Sequence, residues 1–153
     1  MKHEQLKNAR VARILLVEDN EDDVELLRQG FNLAKLAMDL HRVENGVECM
    51  AFLRKQGKYA GKPPPDLILL DLNMPIMGGR AVLAAIAAAA ELRHLPVVIL
   101  TTSAGEQGIL AMYKPRCSSY LVKPVDFAQF LRVVRTMTDY WFTAVVPPVK
   151  GGE

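Results

Sequence analysis

The chain has 153 residues, 50% of them apolar and 24% charged, with a formal net charge of +2. That is one domain's length with enough apolar residues for a sizeable core, so a wholly disordered chain is excluded. The charge excess is small and interspersed, giving no argument for nucleic acid or a membrane surface, and no apolar run reaches the ~18–20 residues of a spanning helix.

The first stretch holds Lys2, Lys7, Arg10 and Arg13 without a dense basic run, and residues 1–12 read as a solvated leader rather than a nucleic-acid arm. No apolar run follows these charges, so no signal peptide is expected. Cys49 and Cys117 do not make a disulfide framework, and reduced thiols in a cytoplasm are the expectation. A first short apolar run, Ile14–Val17, suits a strand covered on both faces. Asn20 can cap a helix holding Val24, Leu27, Phe31 and Ala34, with Glu21, Asp22 and Asp23 near its positive end. A weaker strand lies at Asp39–Val43. Asn45-Gly46 opens a second helix with Val47, Met50, Ala51 and Phe52, ending near Gly57, and Gly57–Pro65 reads as a loop. Strands follow at Leu67–Leu70, Val97–Leu100 and Tyr120–Val122. Between them a third helix runs from Gly78-Gly79 to about Leu92, and a short fourth spans Gln107–Tyr113, stopping before Pro115. Asp126 starts a fifth. This alternation predicts an α/β fold, a doubly wound, five-stranded parallel sheet of the flavodoxin-like kind with helices on both faces and an extended C-terminal helix.

In such sheets the functional site lies beyond the carboxyl ends of the strands. Glu18 and Asp19 follow the first run, Asp71 the third, Thr101 and Thr102 the fourth, and Lys123 and Pro124 the fifth. Each alone has a bland reading. An acidic pair can cap a helix, Asp71 can be a turn residue, Thr101 can bond a backbone, and Lys123 can sit in a solvated loop. Their joint placement after four predicted strands is harder to obtain by accident. Clustered carboxylates repel unless a cation compensates, and oxygen ligands suit Mg²⁺ or Mn²⁺. A carboxylate beside such an ion can attack a phosphoryl group, with Lys123 neutralising one of its oxygens and Thr101 bonding another. The parts match phosphoryl transfer onto an aspartate.

Four segments carry a resemblance: Ile14 to Asn20 (ILLVEDN), Leu69 to Gly79 (LLDLNMPIMGG), Val97 to Ser103 (VVILTTS) and Ser119 to Pro124 (SYLVKP). Together the chain resembles the response-regulator receiver domains, over roughly Arg13 to Ala144. The resemblance implies that Asp71 accepts a phosphoryl group from a histidine of a sensor kinase. Glu18, Asp19, Asp71 and the backbone carbonyl of Asn73 would hold Mg²⁺ or Mn²⁺. Lys123 would contact the acyl phosphate, Thr101 would bond it, and Tyr120 would change rotamer with it. It also implies a cis Lys123–Pro124 peptide. Gly79 stands where an aspartate is frequent in the family, a departure expected to matter little because that side chain belongs to the helix start. An aspartyl-phosphate phosphatase would need a second aspartate two residues after the nucleophile, where Asn73 stands. A structural adaptor with a vestigial site is the other alternative. The expected role is signalling rather than enzymatic.

The segment Asp126–Val146 has apolar positions spread over about 240°, against the ~100° stripe that one core-facing helix needs. Phe127, Leu131, Val134 and Trp141 can face the sheet. The excess of apolar surface predicts a homodimer through the last helix, with an interface of Phe130, Val133, Met137, Tyr140 and Trp141, unless the tail folds back over it. The Tyr140-Trp141-Phe142 cluster before Val-Val-Pro-Pro resembles the C-terminal extension of stand-alone, phytochrome-associated receivers. That implies a phytochrome-type histidine kinase as partner. The receiver unit is expected at 13–146, with 147–153 as a tail and no output module after it.

Overall fold

The computed structural model describes residues 11–33, 38–101, 119–123, 125–126, 128–130 and 132. Five strands are present: β1 (Ala12–Val17), β2 (Met38–Val43), β3 (Leu67–Asp71), β4 (Val97–Thr101) and β5 (Ser119–Val122). All pair in parallel, in the order β2-β1-β3-β4-β5. Three helices lie between them: α1 (Glu21–Leu33), α2 (Gly46–Leu53) and α3 (Gly79–Ala88). Residues 128–130 and 132 are also helical.

Every residue of β3 and β4 is buried, which is why they read as unbroken aliphatic runs. β2 is an edge strand in which only Val43 is buried, and this explains its weak apolar signal. Alternate strand residues feed two separate cores. Leu15, Val17, Ile68, Leu70 and Ile99 pack with Met50, Phe52, Val82, Leu83 and Ile86 of α2 and α3. Ile14, Leu16, Leu67, Leu69, Val98 and Leu100 pack with Val24, Leu27 and Phe31 of α1 and with Phe130. The sheet is therefore doubly wound, as predicted.

Caps set the helix starts. The Asn20 side chain accepts the Asp23 N–H at 2.9 Å, and the Asn45 side chain accepts the Glu48 N–H at 2.9 Å. Two helix ends fall earlier than the sequence suggests. α2 stops at Leu53 rather than near Gly57, because Lys55 takes a left-handed φ of 56°. Its N–H bonds Phe52 O at 3.1 Å while the Gln56 N–H bonds Ala51 O at 2.9 Å, a Schellman closure built without glycine. The stretch Gly57–Pro65 is more ordered than a plain loop. Gly57–Tyr59 forms a 3₁₀ turn, and the buried Tyr59 donates its O–H to Glu48 Oε1 at 2.5 Å. α3 stops at Ala88, short of Leu92, where Ala89 turns extended (φ −102°, ψ 113°). The alanines favour helix but bury little, and the turn that follows lets Leu92 reach the core at 6% exposure.

Phe130 corrects the expected dimer interface. It is 0% exposed, with its ring centroid 5.5 Å from that of Phe31. The Phe130 N–H bonds Asp126 O at 2.9 Å, and this helical phase turns the ring toward the sheet and α1. Of the other interface residues expected, Val133, Met137, Tyr140 and Trp141 lie outside the described residues. So do the predicted fourth helix, Ala34, Thr102, Cys117, Pro124 with its expected cis bond, Phe127, Leu131, Val134, residues 1–10 and the tail, whereas Ala12, expected to end the leader, is the buried first residue of β1. Cys49 is buried, and burial pushes its thiol up to about 12, which leaves it unreactive. Among the described residues no helix is long and apolar enough to cross a membrane.

Candidate functional site

Strand register brings the candidate residues to one edge. Val17 lies level with Leu70, and Leu70 with Ile99, so Glu18 and Asp71 emerge side by side just beyond them. Thr101 ends β4 level with Val122, and the Lys123 N–H bonds Thr101 O at 2.7 Å. Glu18 and Thr101 are 0% exposed and Asp71 is 4% exposed, whereas Asp19 is exposed. Tyr120 is half-buried on β5 and packs against the core shared with α2 and α3. Asn73 is exposed, and its N–H bonds Asp71 Oδ1 at 3.2 Å.

Lys123 Nζ is the centre of charge. It stands 2.6 Å from Glu18 Oε1, 3.1 Å from Asp23 Oδ2 and 3.6 Å from Asp71 Oδ2. Burial alone would lower its pKa, but Glu18, Asp71 and Asp23 outweigh burial and raise it above the ordinary lysine value. The pKa of Asp71 is raised as well, which for a carboxylate disfavours the charged form. Burial first, then the charge of Glu18, push it up to about 7 against the opposing pull of Lys123 and the Asn73 N–H.

Two residues at this edge were not expected there. Arg42, at the end of β2, donates Nε to Glu18 O at 2.9 Å and Nη2 to Asp19 O at 3.3 Å, and pairs with Glu21 at 2.9 Å. It clamps the turn that carries the acidic pair. Asp23, read from the sequence only as a helix-dipole residue, holds Lys123. Gly79 also matters more than expected. A Cβ there would lie 2.7 Å from Asp71 O and 2.8 Å from Leu72 Cα, so a side chain cannot enter without moving the backbone of Asp71. Gly46 does the same for the loop after β3, taking Met77 O on its N–H at 3.1 Å where a Cβ would overlap that oxygen.

Glu18, Asp19 and Asp71 each offer a carboxylate oxygen, all within 4.8 Å of one another. Glu18 Oε1 is buried and faces the Lys123 ammonium at 2.6 Å. Three carboxylates gathered around a single ammonium leave negative charge uncompensated, which fits a hard divalent cation, and the all-oxygen set suits Mg²⁺ or Mn²⁺.

The family model for the response regulator receiver domain matches residues 14–135. The response regulator Rcp1 of Synechocystis sp. is 38% identical over 135 residues, covering 88% of this chain and 92% of that protein. A Mn²⁺-bound crystal structure of Rcp1 superposes with a TM-score of 0.69 at 37% identity, covering 90% of this chain and 99% of that one. The phosphorylated cyanobacterial phytochrome response regulator RcpA gives a TM-score of 0.71 at 36% identity, covering 92% of this chain and all (100%) of that one.

Proposed function

The chain belongs to the response regulator receiver family, and from that membership we propose that Asp71 accepts a phosphoryl group from a histidine of a phytochrome-type sensor kinase. The observation that carries this reading is the meeting of a buried aspartate, a buried threonine and a lysine ammonium at one strand edge beside two further acids. Similarity to RcpA, a phytochrome response regulator, supports the kinase type.

Asn73 occupies Asp71 Oδ1, which leaves Oδ2, on the Lys123 side, as the attacking atom. As the Oδ2–phosphorus bond forms, the phosphorus–nitrogen bond to the donor imidazole breaks and its electron pair stays on that nitrogen. Lys123 neutralises a phosphoryl oxygen, and the Thr101 hydroxyl bonds another. Glu18, Asp19, Asp71 and the carbonyl of Asn73 would hold the Mg²⁺ or Mn²⁺, which supplies charge compensation for the carboxylates and the phosphoryl oxygens. Thr101 and Tyr120, on adjacent strands, carry the change of state outward by biasing a two-state equilibrium. The amide of Asn73 cannot exchange a proton as a second aspartate would, so the phosphatase alternative is set aside.

We assign the receiver unit to 12–146, one residue earlier than the sequence suggests because Ala12 already belongs to β1, with 147–153 as the tail, in a cytoplasmic signalling protein. A homodimer through the last helix remains part of the proposal, over Val133, Met137, Tyr140 and Trp141 without Phe130. Phosphotransfer tests the reading. Incubated with a ³²P-phosphorylated phytochrome-type histidine kinase, the wild-type chain should gain the label and Asp71→Asn should not. Label on both would move the acceptor elsewhere.

A further inference from the structure

We propose that Asp23 is a positioning residue that parks the Lys123 ammonium away from Asp71 until a phosphoryl group occupies the site. This rests on Asp71 being the phosphoacceptor. Three carboxylates share one ammonium: it lies 2.6 Å from Glu18 Oε1 and donates to Asp23 Oδ2 at 3.1 Å, while Asp71 Oδ2 stands off at 3.6 Å. Asp23 is well placed to hold. Its N–H is tied to the Asn20 side chain in the first turn of α1, and Val24 and Leu27 anchor that helix in the core. It is not among the three carboxylates that can share a cation.

Asp23 is also the partner that can let go. Its side chain is 30% exposed, so water can take over its oxygens when the lysine leaves, whereas Glu18 is 0% exposed and would be stranded as a buried charge. A phosphoryl group on Asp71 carries more negative charge than the single charge of Asp23, and the flexible lysine stem follows it. In this arrangement Glu18 is the fixed pivot of the ammonium and Asp23 is its resting place.

Parking opposes occupation of the site, so releasing it should favour a phosphoryl mimic. With saturating Mg²⁺, Asp23→Asn should bind beryllofluoride about two- to fivefold more tightly than wild type, the range expected for a partly exposed ion pair. The gain should vanish when the same change is made in a Lys123→Met background, and Asp23→Glu, which keeps the carboxylate, should stay close to wild type. Amide NMR titration gives each affinity, and Asp23→Ser replaces the Asn variant should that one fail to fold. Unchanged or weaker binding by Asp23→Asn overturns the proposal. An equal gain in both backgrounds does so as well, because Asp23 would then act on the ligand by charge alone. Wild type that binds no beryllofluoride at all would instead remove the phosphoacceptor reading, and the parking role with it.

Discussion

Asp71 needs its charge to act as a nucleophile, and its surroundings resist that charge. Its folded pKa of about 7 lies above the ordinary 3.8. Between those values the folded chain holds the proton more tightly than the unfolded chain does. Stability of the metal-free protein should therefore fall as pH rises from about 4 to about 7, and stay low above that. Asp71→Asn removes the cost. In urea unfolding at about pH 8 without metal, the variant should be more stable by on the order of 2 kcal/mol, and the two should converge near pH 4. Saturating Mg²⁺ should narrow the gap by binding only the folded wild type. Equal stability at both pH values would mean that the carboxylate is not destabilised by its site. Arg42 works on the same acids from behind. Its guanidinium serves two carbonyls and Glu21 at once, a fork that an ammonium cannot reproduce. Arg42→Ala should weaken Mg²⁺ binding about tenfold by titration calorimetry, and Arg42→Lys should recover little of it. Undiminished binding by Arg42→Ala would show that the acidic turn holds its shape unaided. The sequence made Glu18, Asp19, Asp71, Thr101 and Lys123 legible because they follow four separate apolar runs. Arg42 and Asp23 were not legible, since their partners lie 24 and 100 residues away and nothing local marks the pairing.

Helices were legible by their caps and core faces more than by their ends. Asn20 and Asn45 announced two starts correctly, because a short side-chain acceptor before an acidic or apolar turn has a specific job there. The ends of α2 and α3 were missed for different reasons. Lys55 closes a helix with a backbone angle that lysine seldom adopts, and a run of alanines continues to suggest helix after the chain has turned to bury Leu92. The last helix shows the limit of periodicity. An apolar arc wider than one face permits several rotations, and packing against Phe31 selected the one that buries Phe130. Phe130→Ala should therefore act as a core truncation, costing about 3–5 kcal/mol in denaturant unfolding. A variant as stable as wild type with only its association altered would return Phe130 to the interface.

At the scale of the molecule, one doubly wound sheet separates two cores and leaves its carboxyl edge free for chemistry. The parallel order was legible because the central strands, buried on both faces, must be continuously apolar, and because parallel strands need crossover helices between them. Which helix covers which face was not legible from single segments. It follows from the strand order β2-β1-β3-β4-β5 and the preferred hand of each crossover. That arrangement places the acids of β1 and β3 against the lysine after β5 across β4, and it is on this convergence that the phosphoacceptor assignment stands. The most direct measurement is intact mass after incubation with acetyl phosphate and Mg²⁺, for wild type and Asp71→Asn. One added phosphoryl mass on wild type alone is the predicted result. No adduct on a folded wild type that binds Mg²⁺, or the same adduct on both proteins, would contradict Asp71 as the acceptor.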